Sequence, residues 1–207
     1  MFSDRVDAGR QLATALRAYA NAPATVVLGI PRGGVVVAAE VARELRLPLD
    51  IVFAAKVGAP SNPEYAIGAV TADGRLVANP EAGNDAPALE RAAAPAREKL
   101  ARQLRSLRGD RPPLDLTGLT TLVVDDGLAT GLTARAAVHY LRREGAARIV
   151  LAVPVAAVSS ANALRREVDE FVAVDMPPSF FAVGQFYASF PQTEDAEVRN
   201  LLGVEAG

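Results

Sequence analysis

Short aliphatic runs alternate along this chain with stretches in which apolar residues recur at helical spacing, and most runs close on glycine or another turn-former. An unbroken apolar run without polar alternation marks a strand covered on both faces, as in parallel sheets. Strands are therefore expected over residues 25–29, 50–55, 119–124, 148–153 and 171–174. The helical period predicts helices over 4–20, where Val6, Leu12 and Leu16 share one side, over 35–45, ending before Pro48, over 134–144, closed by Gly145, and over 160–167. Residues 66–77 read as a hairpin turning at Asp73 and Gly74. This alternation of strand and helix predicts an α/β fold with a doubly wound, mainly parallel sheet. In 81–118, where Ala, Arg and Pro dominate, Leu100, Leu104 and Leu107 suggest one amphipathic stretch, and Pro95 is expected to interrupt any long helix.

Composition narrows the class without naming a chemistry. A chain of 207 residues, half of them apolar, suffices for one buried core and is short for two, so 1–207 is expected to be a single domain. The formal net charge of -2 gives no general field for phosphate backbones, and the basic residues of 81–118 read as a solvated face, so no nucleic-acid partner is expected. Cysteine is absent, which excludes disulfides, thiolate zinc sites and a Cys nucleophile. MFSDRVDAGR at the start alternates charged and apolar residues, and no run reaches membrane-spanning length. The expectation is a soluble, cytoplasmic protein with no membrane partner.

The chemistry lies in residues 121–133, TLVVDDGLATGLT. An apolar strand ends in two carboxylates and then runs through Gly, small residues and two threonines into a helix. Gly127 and Gly131 allow close backbone approach, successive amides at a helix start hold an anion, and Thr130 and Thr133 add hydroxyl donors. Asp125 and Asp126 would repel a bare phosphate. A ribose diol resolves the conflict, because its hydroxyls donate to the carboxylates while a hydrated magnesium ion offsets their charge. The 5-phosphate then falls to Gly127, Leu128, Ala129, Thr130, Gly131, Leu132 and Thr133. Leu132 stands where a Walker loop needs lysine, and no GxGxxG starts at Gly29 or Gly127. A second anion site is read in IPRGG, where Gly33 and Gly34 precede a helix and Arg32 can pair with charged oxygens. Lys56, closing the expected strand 50–55, falls on the sheet edge where ligands gather in open α/β folds.

The loop resembles the ribose-phosphate signature of type I phosphoribosyltransferases: four apolar residues, two acidic ones, small residues, then TG-x-T. Only Gly127 departs from that signature, which has an aliphatic residue there, and a looser turn is expected. The segments PRGG, KVGAP, NPE and AVG extend the resemblance, to uncharacterised bacterial members, over almost the whole chain. It implies an α/β core over 22–174, a flexible lid and hairpin at 56–77, and a hood formed by 175–207 with the N-terminal helix. It also implies magnesium-dependent transfer of ribose 5-phosphate from phosphoribosyl pyrophosphate to a nitrogenous base, with release of pyrophosphate.

On that resemblance Asp125 and Asp126 are catalytic, binding the ribose and facing developing positive charge; no direct protein ligand to the metal is assigned, the pair reaching it through water. Arg32, Gly33, Gly34 and Lys56 hold the pyrophosphate, with Lys56 also counted as catalytic. Glu64 occupies the lid position from which adenine-type enzymes serve the ring, and is the candidate general acid or base. The loop aspartate of hypoxanthine-guanine enzymes is replaced by Ala129. Phe181, Phe186 and Tyr187, clustered with Phe180 and Phe190, are the candidates to contact the base. His139 reads as a surface residue. The implied partners are phosphoribosyl pyrophosphate and a small base, with a homodimer left open. Because some members keep the loop only to sense phosphoribosyl pyrophosphate, a non-catalytic regulatory sensor is the second reading.

Overall fold

Five strands form a parallel sheet in the spatial order β2 (Leu49–Ile51), β1 (Thr25–Gly29), β6 (Thr120–Val124), β7 (Arg148–Val155), β8 (Glu170–Asp175). The computed structural model describes residues 1–204 except 61, 80, 81, 84, 85, 110 and 113, and omits the side chains of 63, 64 and 66. Parallel neighbours need crossover connections, and these run through α2 (Gly33–Leu45), α4 (Leu132–Arg143) and α5 (Val158–Leu164). Helix α1 (Arg5–Ala15) precedes the first strand.

Successive strand side chains point to opposite faces, and here both faces are covered. Val27, Leu122, Val124, Val150 and Ala152 pack under Leu12 and Leu16 from α1 and its end, and under Val37, Val41 and Leu45 of α2. Their chain neighbours Val26, Leu28, Val123, Ile149, Leu151 and Val153 bury instead against Ala134, Val138 and Leu141 of α4 and Ala161 and Leu164 of α5. A strand covered twice has no place for polar residues, which is why these runs are unbroken. Each fully buried Leu or Val contributes roughly 1.5–3 kcal/mol relative to exposure.

The expected strand 50–55 divides. Ile51 and Phe53 belong to a third core, while Val52 stays in the core beneath α4. The chain accordingly leaves the parallel sheet after Ile51, and β3 (Ala54–Ala59), β4 (Asn62–Thr71) and β5 (Leu76–Ala78) form a separate antiparallel sheet. Most of the segment expected as a lid is built into that sheet. Its hairpin does turn at Asp73 and Gly74, where Gly74 has φ 79°. Arg143 of α4 ties the turn down, with Nη2 3.1 Å from Asp73 Oδ2.

Pro95 does not break the following helix, contrary to expectation: α3 (Ala86–Arg108) runs through it. Leu89, Ala93, Leu100 and Leu107 bury one side of α3 in the third core, together with Val57, Val70 and Val198 of α6 (Asp195–Leu202). That continuous stripe outweighs one missing backbone hydrogen bond, and the proline ring itself is exposed. At the other end of the fold, Phe2 and Tyr187 form a parallel bridge, which joins the N-terminal segment to the aromatic tail. Among the described residues no helix is long and apolar enough to cross a membrane.

Pro95→Ala restores a donor inside a helix whose packing is already in place, so it is expected to stabilise the protein by about 2 kcal/mol, net of the extra freedom given to the unfolded chain. Chemical denaturation checks this, and an unchanged or lower midpoint would show that α3 relies on the proline.

Candidate functional site

Strand order places β1 beside β6, and from that pair the chain winds outward in both directions. Such a switch point opens a crevice at the carboxyl ends of the two strands. Gly29 is in register with Val124, and the Ile30 amide donates to the Val124 carbonyl at 2.9 Å. The IPRGG and DDGLATGLT segments therefore leave the sheet side by side. Their contact is too close for a side chain: a Cβ on Gly33 would lie 2.0 Å from Asp126 Oδ2, and one on Gly34 would lie 2.8 Å from both Cα and Oδ1 of Asp125. The intervening Pro31–Arg32 peptide is cis.

Asp126 is held from three directions. Arg5 Nε donates to its Oδ2 at 2.8 Å, the Tyr187 hydroxyl donates to its carbonyl at 2.6 Å, and its own amide donates to Asp125 Oδ1 at 2.9 Å. Arg5 is only 9% exposed; its Nη1 donates to the Pro191 carbonyl at 2.7 Å and its guanidinium lies 3.7 Å from the centre of the Phe190 ring. Burial, and after it the charge of Asp126, push the Asp125 carboxyl well above its ordinary value of 3.8. Burial raises Asp126 as well, against the opposing pull of Arg5. Burial likewise raises the Tyr187 phenol, which stays a donor. Sequence reasoning missed Arg5, although it occupies the same helical stripe as Ala8 and Leu12, and a cation on an apolar stripe is a signal of a buried partner.

The rest of the loop divides between anchors and open groups. Leu128 donates its amide to Val155 O and accepts from the Ala157 amide, both at 2.8 Å, so this member of the expected phosphate cradle is spent on fixing the loop to β7. Leu128 and Leu132 are buried, Ala129 and Thr130 exposed, and Thr133 half-buried. Gly131, with φ 73°, is the N-cap of α4, whose first-turn amides have no partner within the helix. The Ser160 hydroxyl donates to the Ala129 carbonyl. At Gly127, where a looser turn is expected, a Cβ would come within 2.4 Å of Val183 Cγ1, so the position is closed to an aliphatic side chain. The tail supplies the apolar volume that an aliphatic loop residue would otherwise fill.

A cleft of about 420 Å³ opens beside the loop, lined by Ala129, Thr130, Arg135, Ser160, Phe180 and Phe181 among others. Phe181 is 90% exposed there. Phe186 packs on Phe180 with ring centres 5.0 Å apart, and it does not line the cleft. Tyr187 is buried between Phe2 and Phe190, so its ring is core and only its hydroxyl serves the site. Arg32 lies 3.5 Å from Asp195 of α6. Lys56 is placed within β3 rather than at the end of a parallel strand, and lines a different hollow with Arg91 and Lys99. The Glu64 side chain lies outside the described residues. His139 is partly exposed and pairs with Glu167 at 3.0 Å.

Residues 3–189 match the family described as the phosphoribosyl transferase domain. The chain belongs to that family. A Mycobacterium tuberculosis H37Rv protein, named provisionally as a phosphoribosyl transferase, is 44% identical over 206 residues, covering 98% of this chain and 46% of that protein. The chain thus spans about half the length of the curated relatives it matches. TT1426 from Thermus thermophilus is similar in structure at 45% identity and a TM-score of 0.82, over 100% of this chain and 99% of that one. A purine phosphoribosyltransferase from Pyrococcus horikoshii shares the fold at 19% identity and a TM-score of 0.50, over 92% and 93% of the two chains. The doubly wound parallel sheet is the type I phosphoribosyltransferase fold.

Two outcomes follow for this phosphoribosyl transferase domain. With its carboxylate pKa raised by folding, the native state binds protons that the unfolded chain releases above 3.8, so stability falls as pH rises from there to the folded value. Asp125→Asn keeps an acceptor for the Asp126 amide, and is expected to exceed the parent in stability at pH 7 by at least about 1 kcal/mol, the gap closing toward pH 4. Denaturation at both pH values tests this; a parent as stable as the variant at pH 7 would contradict it. Gly127→Ala is expected to cost about 1–3 kcal/mol by overpacking, and Val183→Ala to recover most of it in the double variant. Additive losses in that cycle would mean that Val183 is not what excludes the side chain.

Proposed function

We propose that this site transfers the ribose 5-phosphate of phosphoribosyl pyrophosphate to a nitrogenous base and releases pyrophosphate. The observation that carries the reading is the contact of Gly33 and Gly34 with Asp126 and Asp125 at the β1–β6 crevice. A ligand spanning both loops must offer anionic groups to two backbone turns and hydroxyl donors to the carboxylates between them, and a phosphorylated ribose with a second phosphate group does so. Thr130, Thr133 and the first-turn amides of α4 hold the 5-phosphate; the turn from Arg32 to Gly34 receives the pyrophosphate. Asp125 and Asp126 accept from the ribose hydroxyls and face the positive charge that develops as the anomeric bond opens. Placement and charge supply the rate, with no covalent intermediate on the protein.

Magnesium enters as part of the pyrophosphate-bearing substrate. Among the described residues no group of three or more acidic, His or Cys side chains is assembled, and Asp126 is already balanced by Arg5. That donor set suits a hydrated ion met through water rather than a protein-caged one. Phe181 supplies an aromatic face in the cleft for a planar base. Glu64 stays a candidate acid or base.

Nucleobases screened with phosphoribosyl pyrophosphate and magnesium should include one that releases pyrophosphate. Asp126→Asn is expected to lower kcat/KM about 100-fold or more while moving Tm by only a few degrees. If calorimetry shows tight binding of phosphoribosyl pyrophosphate but no base reacts, the chain is a sensor and the transferase reading is wrong.

A further inference from the structure

The carboxyl edge of the sheet is not the only place where charge and cavity meet. At the opposite, amino edge two hollows share a wall. One, of about 300 Å³, is lined by Arg10, Thr14, Arg17 and Glu44, and the other, of about 400 Å³, by Val26, Leu47, Pro48, Leu114 and Leu119; Asn21 and Arg46 line both. The first is polar and cationic and the second is apolar, so the pair has the two-part character of a small-ligand site and a volume in the usual range.

Two of the charges in the polar hollow are engaged within the fold and two are not. Arg10 is engaged by Glu40, and Glu44 by Arg43. Arg17 and Arg46 make no ion pair or side-chain hydrogen bond among the described residues. Most arginines of this chain are paired, including Arg5, Arg32, Arg135 and Arg143, whereas Arg17 and Arg46 are exposed at this cleft with their donors open to an incoming anion.

The backbone sets these residues at a local cost. The described residues contain three non-glycine positions with positive φ, Asn21 at 56°, Ala24 at 50° and Arg46 at 55°, and all three line the hollows. Arg46 closes α2 in the left-handed conformation, where glycine is favoured and an ordinary side chain is strained. Sparsely populated backbone of this kind gathers at ligand clamps. Here it carries a long cation on the lip between the polar hollow and the apolar one.

We propose that the amino edge binds a phosphorylated planar-ring ligand of mononucleotide class, the phosphate at Arg17 and Arg46 and the ring in the hollow of Leu47, Pro48 and Leu114. Two unpaired cations match the one or two charges of a phosphomonoester, and the adjoining apolar walls take a ring that inorganic phosphate lacks. The site stands on the far side of the sheet from Asp125 and Asp126 and is independent of the catalytic reading.

Methyl NMR tests the proposal, because it reports each edge separately. On titration with AMP, the methyls of Leu47, Leu114 and Leu119 are expected to shift saturably, inorganic phosphate acting at least about tenfold more weakly and adenosine more weakly still. In Arg17→Ala/Arg46→Gly, where glycine suits the backbone, that response weakens at least about tenfold, equal to about 1.4 kcal/mol, while any AMP response at Leu128 and Leu132 persists. The single variant Arg17→Ala should fall between the two. No shift at Leu47 and Leu114 up to about millimolar AMP, a response that survives in the double variant, or shifts that follow protein concentration without AMP, as when a second copy covers this edge, would each overturn the proposal.

Discussion

Two carboxylates leave a strand buried from Thr121 to Val124 at consecutive positions and remain within one hydrogen bond of each other. Asp125 and Asp126 are the constraint to which the rest of the site is fitted, because charges withdrawn from water must be balanced or protonated. Arg5 balances one of them, and Arg5 is in turn fixed by Pro191 and Phe190. The Tyr187 hydroxyl fixes the backbone of the same aspartate. The N-terminal helix and the aromatic tail thus meet over the strand end for an electrostatic reason as well as an apolar one. The same pair dictates the glycines opposite, since Gly33 and Gly34 stand where any Cβ would displace a carboxylate oxygen or the strand itself.

Topology makes that arrangement available. The reversal of winding at β1 and β6 brings the ends of two sequence-distant strands into register, and Ile30 and Val124 share a hydrogen bond where the two loops begin. The two-sided burial of β1, β6 and β7 makes the platform stiff, and the Leu128 bridge to β7 carries that stiffness into the loop. Precision at Thr130, Thr133 and the α4 amides therefore derives from hydrophobic packing several residues away. The phosphate cradle proposed for these groups would need such support, because backbone amides that face a ligand do little to hold themselves.

What was legible in the sequence were features imposed by one residue on its chain neighbours. The strand 25–29 matches β1 residue for residue because both its faces are apolar, and the motif from Asp125 to Thr133 reads locally because its parts are contiguous. Misreadings came where tertiary contacts divide a local pattern. The run from Ile51 to Phe53 is apolar throughout yet serves two cores, so no periodicity marks the point at which the chain changes sheets. Pro95 is a strong local signal overruled by the stripe from Leu89 to Leu107. Val183, Tyr187 and Arg5 act on the loop from the far ends of the chain, and the aromatic tail divides between core, at Tyr187, and an exposed face, at Phe181, a division its composition does not mark. Only Arg5 left a local trace, as a cation among the buried residues of α1.

Both edges of the sheet hold groups in conditions that do not favour them, in different ways. At the carboxyl edge the cost is electrostatic, and part of it is met within the fold by Arg5. At the amino edge it is conformational, carried by left-handed Asn21, Ala24 and Arg46. A fold selected for stability alone would remove each: an amide for Asp125, glycine for Arg46. Their presence on otherwise well-packed elements is more readily understood if each is relieved by a ligand, since a ligand that binds only the native state stabilises it in proportion to its affinity. The ligands proposed for the two edges have opposite chemistry, hydroxyl donors at the carboxylates and an anion at the arginines, so one ligand seated at either edge does not satisfy the other.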